Sequence, residues 1–197
     1  MIDGVIKYQL DYQPSSPLEP SSFTEIESLR ERLFALKLIG IENGIGYGNI
    51  SKRVDKDSFV ITGTQTGHLA NLNREHYALI EKYNDKEFYL KASGAIKPSS
   101  EALTHGTIYN LDNNINAVIH IHSKTIWKFM LKGNYLKTED VEYGSIEMIE
   151  EVNRIFKTIK PLENPKFVMS GHEDGAMFFG KNLKEAELTL FEILSFF

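Results

Sequence analysis

The segment NAVIHIHS, residues 116–123, is the most apolar strand that the sequence predicts, and it carries two histidines one residue apart. Side chains alternate between the two faces of a strand, so His120 and His122 point the same way while Ile121 is buried on the opposite face. Two neighbouring imidazoles can occupy two positions of a tetrahedral metal site. Equally, two such histidines can be ordinary polar residues at the end of a strand. A third ligand would favour the metal site.

His172 is the candidate for that third ligand. It lies in MSGHEDG, directly after the predicted strand FVM, where a side chain can reach into a cleft. Gly171 and Gly175 are turn formers, so His172 also has a simple explanation as a turn residue. The 197-residue chain has 6 histidines and no cysteine, which excludes disulfides, thiolate metal sites, iron–sulfur clusters and thiol catalysis. Any transition metal must therefore be bound by histidine and carboxylate.

The segment KPSSE, residues 97–101, supplies a candidate carboxylate. The chain turns at Pro98 and then begins a helix with Ser99 and Ser100 at its cap position. Glu101 is explained by the helix dipole alone, as an acidic residue in a first turn. Hydroxyl and N–H donors at the start of a helix also bind phosphate, and a carboxylate beside them can serve as acid or base. His105, one helical turn later, is a candidate to support Glu101.

Two turns rich in Gly, Thr and Asn are further candidates for phosphate binding. GNIS covers residues 48–51 and TGTQTG covers residues 62–67. Either segment can be no more than a hairpin turn, but turns of this composition also expose N–H and hydroxyl donors that suit phosphate oxygens. Lys97 is the lysine to consider for a Schiff-base mechanism, although a solvated lysine before a proline needs no special role.

Composition narrows the functional class. Hydrophobic residues make up 42% of the chain, the formal net charge is −5 and the pI is near 5.7. This balance offers no basic surface for nucleic acid. No stretch approaches the roughly 20 apolar residues of a membrane span. The N-terminus does not resemble a signal peptide. We therefore expect a cytoplasmic protein with neither a nucleic-acid nor a membrane partner.

Strands and helices alternate along the chain, which predicts one α/β domain over residues 1–197, with residues 1–20 as an N-terminal strand and loop. Period-two alternation places Ile6, Tyr8, Leu10 and Tyr12 on the buried side of the first strand. The other predicted strands cover 50–54, 59–62, 88–91, 166–170 and 176–179. Helices are predicted from the capping box of Ser22 and Glu25, from Asn73 to Tyr83, and from the caps Ser145 and Asn182.

In this order, GNIS, ITGT, KPSSE, HIHS and a later histidine at a strand end resemble the class II aldolase/adducin family. The resemblance runs from about Leu29 to Leu194, nearly the whole chain. It implies a three-layer fold in which a central, largely antiparallel sheet is flanked by helices. It also implies a homo-oligomer, often a four-fold tetramer, with active sites near the subunit interfaces.

The resemblance assigns a role to each matching position. One divalent metal per subunit, usually Zn2+, is expected on His120, His122 and His172, and the catalytic acid/base is expected at Glu101. The substrate phosphate is expected on Asn49, Thr64, Ser99 and Ser100.

These roles imply a metal-dependent aldolase, a carbon–carbon lyase that reversibly cleaves a phosphorylated ketose or related hydroxy-ketone through a metal-stabilised enediolate. Two alternatives stay open: a dehydratase of the methylthioribulose-phosphate kind, and a non-catalytic binding domain like that of adducin. Epimerisation is disfavoured because Glu101 stands where the family's epimerase has aspartate.

The sequence also departs from the family pattern. Glu173 and Asp174 follow the third histidine, where glycine is usual, and we expect them to add negative charge beside the metal. The span from His122 to His172 is short for a sugar-phosphate aldolase. The sequence stops soon after its last helix, without the tail that carries a catalytic tyrosine in some members. Tyr135 or Tyr143 of a neighbouring subunit is a possible substitute.

Overall fold

The computed structural model describes residues 5–197, and a mixed sheet of eight strands lies at its centre. Seven of its strands pair antiparallel with one another, and one edge strand pairs parallel with its neighbour. In spatial order the strands are β1 (Gln9–Pro14), β7 (Tyr89–Gly94), β6 (Tyr77–Asn84), β5 (Ser58–Thr62), β4 (Asn49–Asp55), β8 (Ala117–His122), β10 (Gly175–Gly180) and β9 (Lys166–Val168). A separate two-stranded hairpin is formed by β2 (Gly40–Glu42) and β3 (Ile45–Tyr47).

Helices cover both faces of the sheet. One face packs against α2 (Ala102–Leu111) and α4 (Ile146–Ile155), and the other packs against α1 (Pro20–Ala35), α3 (Lys124–Lys132) and α5 (Leu183–Leu194). Each face has its own apolar core, and burial of the apolar side chains in these two cores stabilises the fold. The expected helix–sheet–helix layers, with a largely antiparallel sheet, are confirmed.

Strand β8 runs through the middle of the sheet, and its alternation places the histidines. Ile119 and Ile121 enter the core under α1, α3 and α5, whereas Val118 enters the core under α2 and α4. His120 and His122 share the face of Val118, because residues i and i+2 point the same way along a strand. His120 is 1% exposed.

Several predicted elements agree with the structure. Tyr8 is buried in the core under α2 and α4, and Ile6, Leu10 and Tyr12 pack against the same core. The side chain of Ser145 accepts the N–H of Met148 at the start of α4. Asn182 caps α5 in the same way. The predicted strands at 50–54, 59–62, 88–91, 166–170 and 176–179 correspond to β4, β5, β7, β9 and β10.

The helix predicted from Asn73 to Tyr83 is wrong. Asn73 caps a single 3-10 turn, Arg74–His76, and strand β6 follows. The residues of β6 alternate between the two cores, with Tyr77 in one and Ala78 and Ile80 in the other. Hydrogen bonding to β5 and β7 on both sides fixes this segment as a strand, so tertiary pairing outweighs local propensity.

Two predicted helix caps are also wrong. Helix α1 begins at Pro20, with no side-chain cap, so Ser22 lies inside its first turn. Proline suits a first helical position because the N–H that it lacks has no helical partner there. The N-cap of α2 is Glu101, so Ser99 and Ser100 precede the cap position.

Within residues 5–197, no helix combines the length and the apolar character of a membrane span.

Candidate metal centre and active site

Strand register brings the two histidines of β8 together with residues of both neighbouring strands. His120 is paired with Asn49 of β4, and His122 is paired with Gly175 of β10. His172 lies in the tight turn that precedes β10, where its carbonyl accepts the N–H of Gly175. A Cβ at Gly175 would lie 2.7 Å from Cδ2 of His172, so the turn can seat the imidazole only with glycine at this position.

The three histidines form one cluster. One ring nitrogen from each of His120, His122 and His172 lies within 4.8 Å of the other two. The Nε2 atoms of His122 and His172 are 2.9 Å apart, close to the spacing of about 3.3 Å expected for two nitrogens on one tetrahedral zinc. Burial, together with repulsion from the other two histidines, lowers the pKa of His122 well below its ordinary value. His122 is therefore neutral at pH 7, the form that binds metal.

Glu101 lies against this cluster and is 4% exposed. Its Oε2 contacts Nδ1 of His120 and accepts a 2.9 Å hydrogen bond from Nδ2 of Asn49. Burial by itself would raise the pKa of Glu101, but the charge and hydrogen bond of His120, with His172 and Asn49, lower it below its usual value. The carboxylate is therefore ionised at pH 7.

The unpaired buried atoms fit a bound cation. Among the described residues, Nε2 of His120 and Oε1 of Glu101 have no hydrogen-bond partner, although both are buried. Such groups ordinarily find a partner in the protein, in water or in an ion. With Nδ1 of His120 held by the Glu101 carboxylate, its Nε2 keeps a free lone pair, which is how protein carboxylates commonly orient a metal-binding histidine. Three imidazole nitrogens are also a donor set that zinc accepts.

A second group of residues closes the other side of the same cavity. The N–H of Ser99 bonds to the carbonyl of Thr62, and the N–H of Thr64 bonds to the carbonyl of Lys97. These two hydrogen bonds hold residues 62–67 beside Ser99 and Ser100, so the two segments predicted to bind phosphate are neighbours. One cavity is lined by all eight of the predicted site residues: Asn49, Thr64, Ser99, Ser100, Glu101, His120, His122 and His172.

Asn49 has a different environment from the one expected of a phosphate ligand. Its Nδ2 donates to Oε2 of Glu101 and lies 3.3 Å from Nδ1 of His120. Its Oδ1 is buried without a partner among the described residues. Asn49 therefore orients the Glu101 carboxylate in this structure.

Two tyrosines line the cavity of their own chain. The ring of Tyr47 stacks on His122 with centroids 5.1 Å apart, and the ring of Tyr143 lies 4.8 Å from that of His172. Tyr47 was not predicted as a site residue, although its place between two glycines just before Asn49 was a signal. Tyr143 was expected to act from a neighbouring subunit, whereas Tyr135 packs against Phe129 on α3.

The remaining candidates lie outside the cavity. Glu173 is exposed and pairs with Lys124 at 3.8 Å, so its charge faces solvent and not the histidines. Asp174 takes a positive φ of 68° in the turn and does not line the cavity either. His105 is fully buried on α2, where its Nδ1 lies 2.7 Å from Oγ of Ser51. It therefore contacts Ser51 and not the carboxylate of Glu101.

Comparison with known proteins agrees with this arrangement. The model of the class II aldolase and adducin N-terminal domain matches residues 40–195. The chain belongs to this family. The matched region contains all eight predicted site residues but not α1 or β1. Class II aldolases use a divalent metal, and in this member three histidines are positioned to bind one.

Solved structures of family members share the fold. An L-fuculose 1-phosphate aldolase is 17% identical, with a TM-score of 0.70, and the match covers 91% of this chain and 84% of that protein. A sugar-phosphate aldolase from Thermotoga maritima is 20% identical, with a TM-score of 0.64 and coverage of 88% and 90%. An L-fuculose-1-phosphate aldolase from Thermus thermophilus is 18% identical, with a TM-score of 0.59 and coverage of 87% and 85%. At these identities the likeness establishes the fold alone.

Proposed function

We propose that this class II aldolase family member is a metal-dependent lyase that reversibly cleaves a phosphorylated ketose or a related hydroxy-ketone. The observation that carries the proposal is the cavity in which Glu101 has one carboxylate oxygen held and the other without a hydrogen bond, beside three clustered histidines. A structural carboxylate at this depth would ordinarily have both oxygens bonded.

The three histidines His120, His122 and His172 would hold the divalent metal, for which zinc is the best candidate because all three donors are imidazole nitrogens. The bound metal supplies Lewis-acid stabilisation of the negative charge that develops on the substrate as the carbon–carbon bond breaks. His120 is oriented for this task by Glu101, and His172 is seated by the glycine turn before β10.

Glu101 would move the proton at the reacting carbon through its Oε1. Asn49 and His120 hold Oε2, so the carboxylate cannot rotate freely and Oε1 keeps its direction. Burial excludes bulk water from the carboxylate, which would otherwise exchange the proton with solvent. A carboxylate fixed in this way can act as general acid in one direction and as general base in the other.

The turns at Thr64 and at Ser99-Ser100 would bind the substrate phosphate. Residues of both turns line the same cavity as the three histidines. A phosphate held there would leave the ketone end of a short sugar facing the metal and Glu101, so binding energy at one end would orient the reacting end. By analogy with its family, we propose that the enzyme works as a homotetramer.

The decisive experiment joins metal analysis to product analysis. The purified protein is loaded with zinc, its metal content is measured, and it is incubated with a panel of phosphorylated ketoses. We expect about one metal per chain and release of an aldehyde together with a three-carbon ketone phosphate from at least one of them. Removal of the metal by a chelator should abolish the activity, and zinc should restore it.

Glu101→Gln is the control, because it preserves the size and the hydrogen bonding of the side chain while removing its basicity. A dicarbonyl product formed with loss of water would instead identify a dehydratase. A chain that binds no metal, or one whose aldehyde release is unchanged in the Glu101→Gln variant, would contradict the proposal. Metal binding without turnover of any substrate would favour the adducin-like binding domain.

A further inference from the structure

The N-terminal strand lies outside the residues that the family model matches, yet it reaches the candidate site. β1 pairs parallel with β7 at the sheet edge, and the family match begins only at residue 40. Just before this strand, Tyr8 is 4% exposed, with its ring in the core under α2 and α4. Burial raises the pKa of the Tyr8 phenol, so its hydroxyl remains a donor at any ordinary pH.

The hydroxyl of Tyr8 donates a 2.8 Å hydrogen bond to the carbonyl of Ser99. This carbonyl belongs to the turn at Ser99 and Ser100, which lines the candidate cavity. The N–H of Ser99 is held by Thr62, and its Oγ accepts the N–H of Glu101. The carbonyl also accepts the N–H of Ala102 at 3.0 Å, so Tyr8 and the first turn of α2 together hold the peptide group between Ser99 and Ser100.

Lys7 anchors the same segment to the part of the cavity wall that Tyr143 forms. Its Nζ donates a 2.5 Å hydrogen bond to the carbonyl of Tyr143 and lies 3.7 Å from the centroid of the Tyr143 ring, which packs against His172. Close approach ties this wall to the serine turn, because a Cβ on Gly144 would lie 2.8 Å from the carbonyl oxygen of Ser100. Residues 7 and 8 therefore bind two turns that already touch each other.

We propose that Tyr8 is a positioning residue for substrate binding: its hydroxyl holds the Ser99 peptide so that the serine turn is preformed for phosphate. The kinetic part of this proposal rests on the proposed function, but the ordering of the turn does not.

Tyr8→Phe tests the proposal, and Tyr12→Phe is its matched control. Tyr12 lies on the same side of the same segment and donates a similar hydrogen bond, 2.7 Å long, to the carbonyl of Gly94, which does not line the cavity. Each variant keeps its aromatic ring and loses one bond to a backbone carbonyl. Amide hydrogen exchange at Ser99 and Glu101 reports the order of the turn, and steady-state kinetics report substrate binding.

In Tyr8→Phe we expect exchange at Ser99 and Glu101 to accelerate about tenfold, since exchange follows the free energy of local opening. We expect KM for the phosphorylated ketose to rise about three- to tenfold while kcat stays within about twofold, the pattern of lost binding that is equal in ground and transition states. Tyr12→Phe should change neither quantity. A merely structural role would give the two variants the same exchange pattern.

The proposal is overturned if Tyr8→Phe leaves exchange at Ser99 and Glu101 as it is in the unmodified chain, or if Tyr12→Phe accelerates it equally. Faster exchange with an unchanged KM would overturn the role in substrate binding. If exchange accelerates as expected but the unmodified chain cleaves no phosphorylated ketose, the ordering role of Tyr8 stands and the proposed function fails.

Discussion

Two buried glutamates, one on each face of the sheet, differ in how their carboxylate oxygens are hydrogen-bonded. Glu27, on α1, is 8% exposed, and Glu101, before α2, is 4% exposed. Both oxygens of Glu27 are bonded: Oε1 accepts the N–H of Leu72 at 2.6 Å, and Oε2 accepts the hydroxyl of Tyr77 at 2.5 Å. Within the described residues only one oxygen of Glu101 accepts a hydrogen bond, and the other lies 3.9 Å from Nε2 of His172.

The charges beside the two carboxylates differ as well. Nη1 of Arg30 lies 3.8 Å from Glu27, and its guanidinium donates to the carbonyls of Thr66, Leu69 and Ala70. This network therefore fixes the loop after β5 to α1. Beside Glu101 the neighbouring groups are the imidazoles of His120 and His172, and an imidazole binds a metal in its neutral form. The comparison teaches that burial alone does not mark a reactive carboxylate, whereas a buried carboxylate oxygen without a hydrogen bond beside a histidine cluster does.

The largest expected effect separates the two carboxylates by activity. Glu101→Gln should lower kcat about a thousandfold, because general acid–base catalysis ordinarily contributes about 10²- to 10⁴-fold. Steady-state aldol cleavage under zinc saturation measures it, and circular dichroism monitors the fold. A variant that retains more than about a tenth of the activity would show that Glu101 is not the acid/base.

Glu27→Gln should show the reverse pattern. The neutral amide leaves the charge of Arg30 buried without its carboxylate and cannot satisfy both donors as well as a charged group does. We expect the free energy of unfolding to fall by about 3 kcal/mol, with kcat of the folded enzyme within about threefold. Urea titration and kinetics at low temperature measure the two quantities. A thousandfold loss of kcat in the folded variant would remove the distinction between the two carboxylates.

The donors to each carboxylate provide a finer test. Asn49→Ala removes the donor to Glu101, so we expect kcat to fall about 10- to 100-fold, the usual cost of losing a group that orients a site residue. Tyr77→Phe removes the donor to Glu27, and we expect a loss of about 2 kcal/mol of stability with unchanged metal content and kcat. Kinetics and urea titration of both variants check this. Equal effects on kcat would contradict it.

The sequence predicted which residues share one cavity better than it predicted the elements that support that cavity. Period-two alternation placed His120 and His122 on one face, and the ordered family motifs supplied the other six of the eight predicted residues that line the cavity. In contrast, the segment from Tyr77 to Asn84 was predicted largely as a helix, because its strand identity depends on hydrogen bonds to β5 and β7 that local sequence does not contain.

The contacts that Tyr8 and helix α1 make with distant loops could not be predicted either, because they too depend on tertiary packing. Tyr8 was placed correctly on the buried side of its strand, but its bond to Ser99 joins residues 91 positions apart. Glu27 and Arg30 were ordinary charged residues in an amphipathic helix. Their burial follows from the loop after β5 lying on α1, and this contact is set by tertiary packing.

The smallest expected effect comes from His105, a buried histidine outside the cavity, and it concerns the pH dependence of stability. His105 is fully buried on α2, and burial lowers its pKa to about 3, so it stays neutral in the folded protein. Unfolding exposes an imidazole with an ordinary pKa near 6.5, and the unfolded chain therefore binds the extra proton. Stability should fall as pH falls below about 6.5, by at most about 1.4 kcal/mol per pH unit from this residue.

His105→Gln should remove that part of the slope, which urea titrations at about pH 7, 6 and 5 would reveal as a difference between the two proteins. The other histidines are present in both chains, so their contributions cancel in that difference. Parallel stability curves would show that His105 is not held neutral by its burial. A loss of bound metal in the variant would place His105 in the site and not outside it.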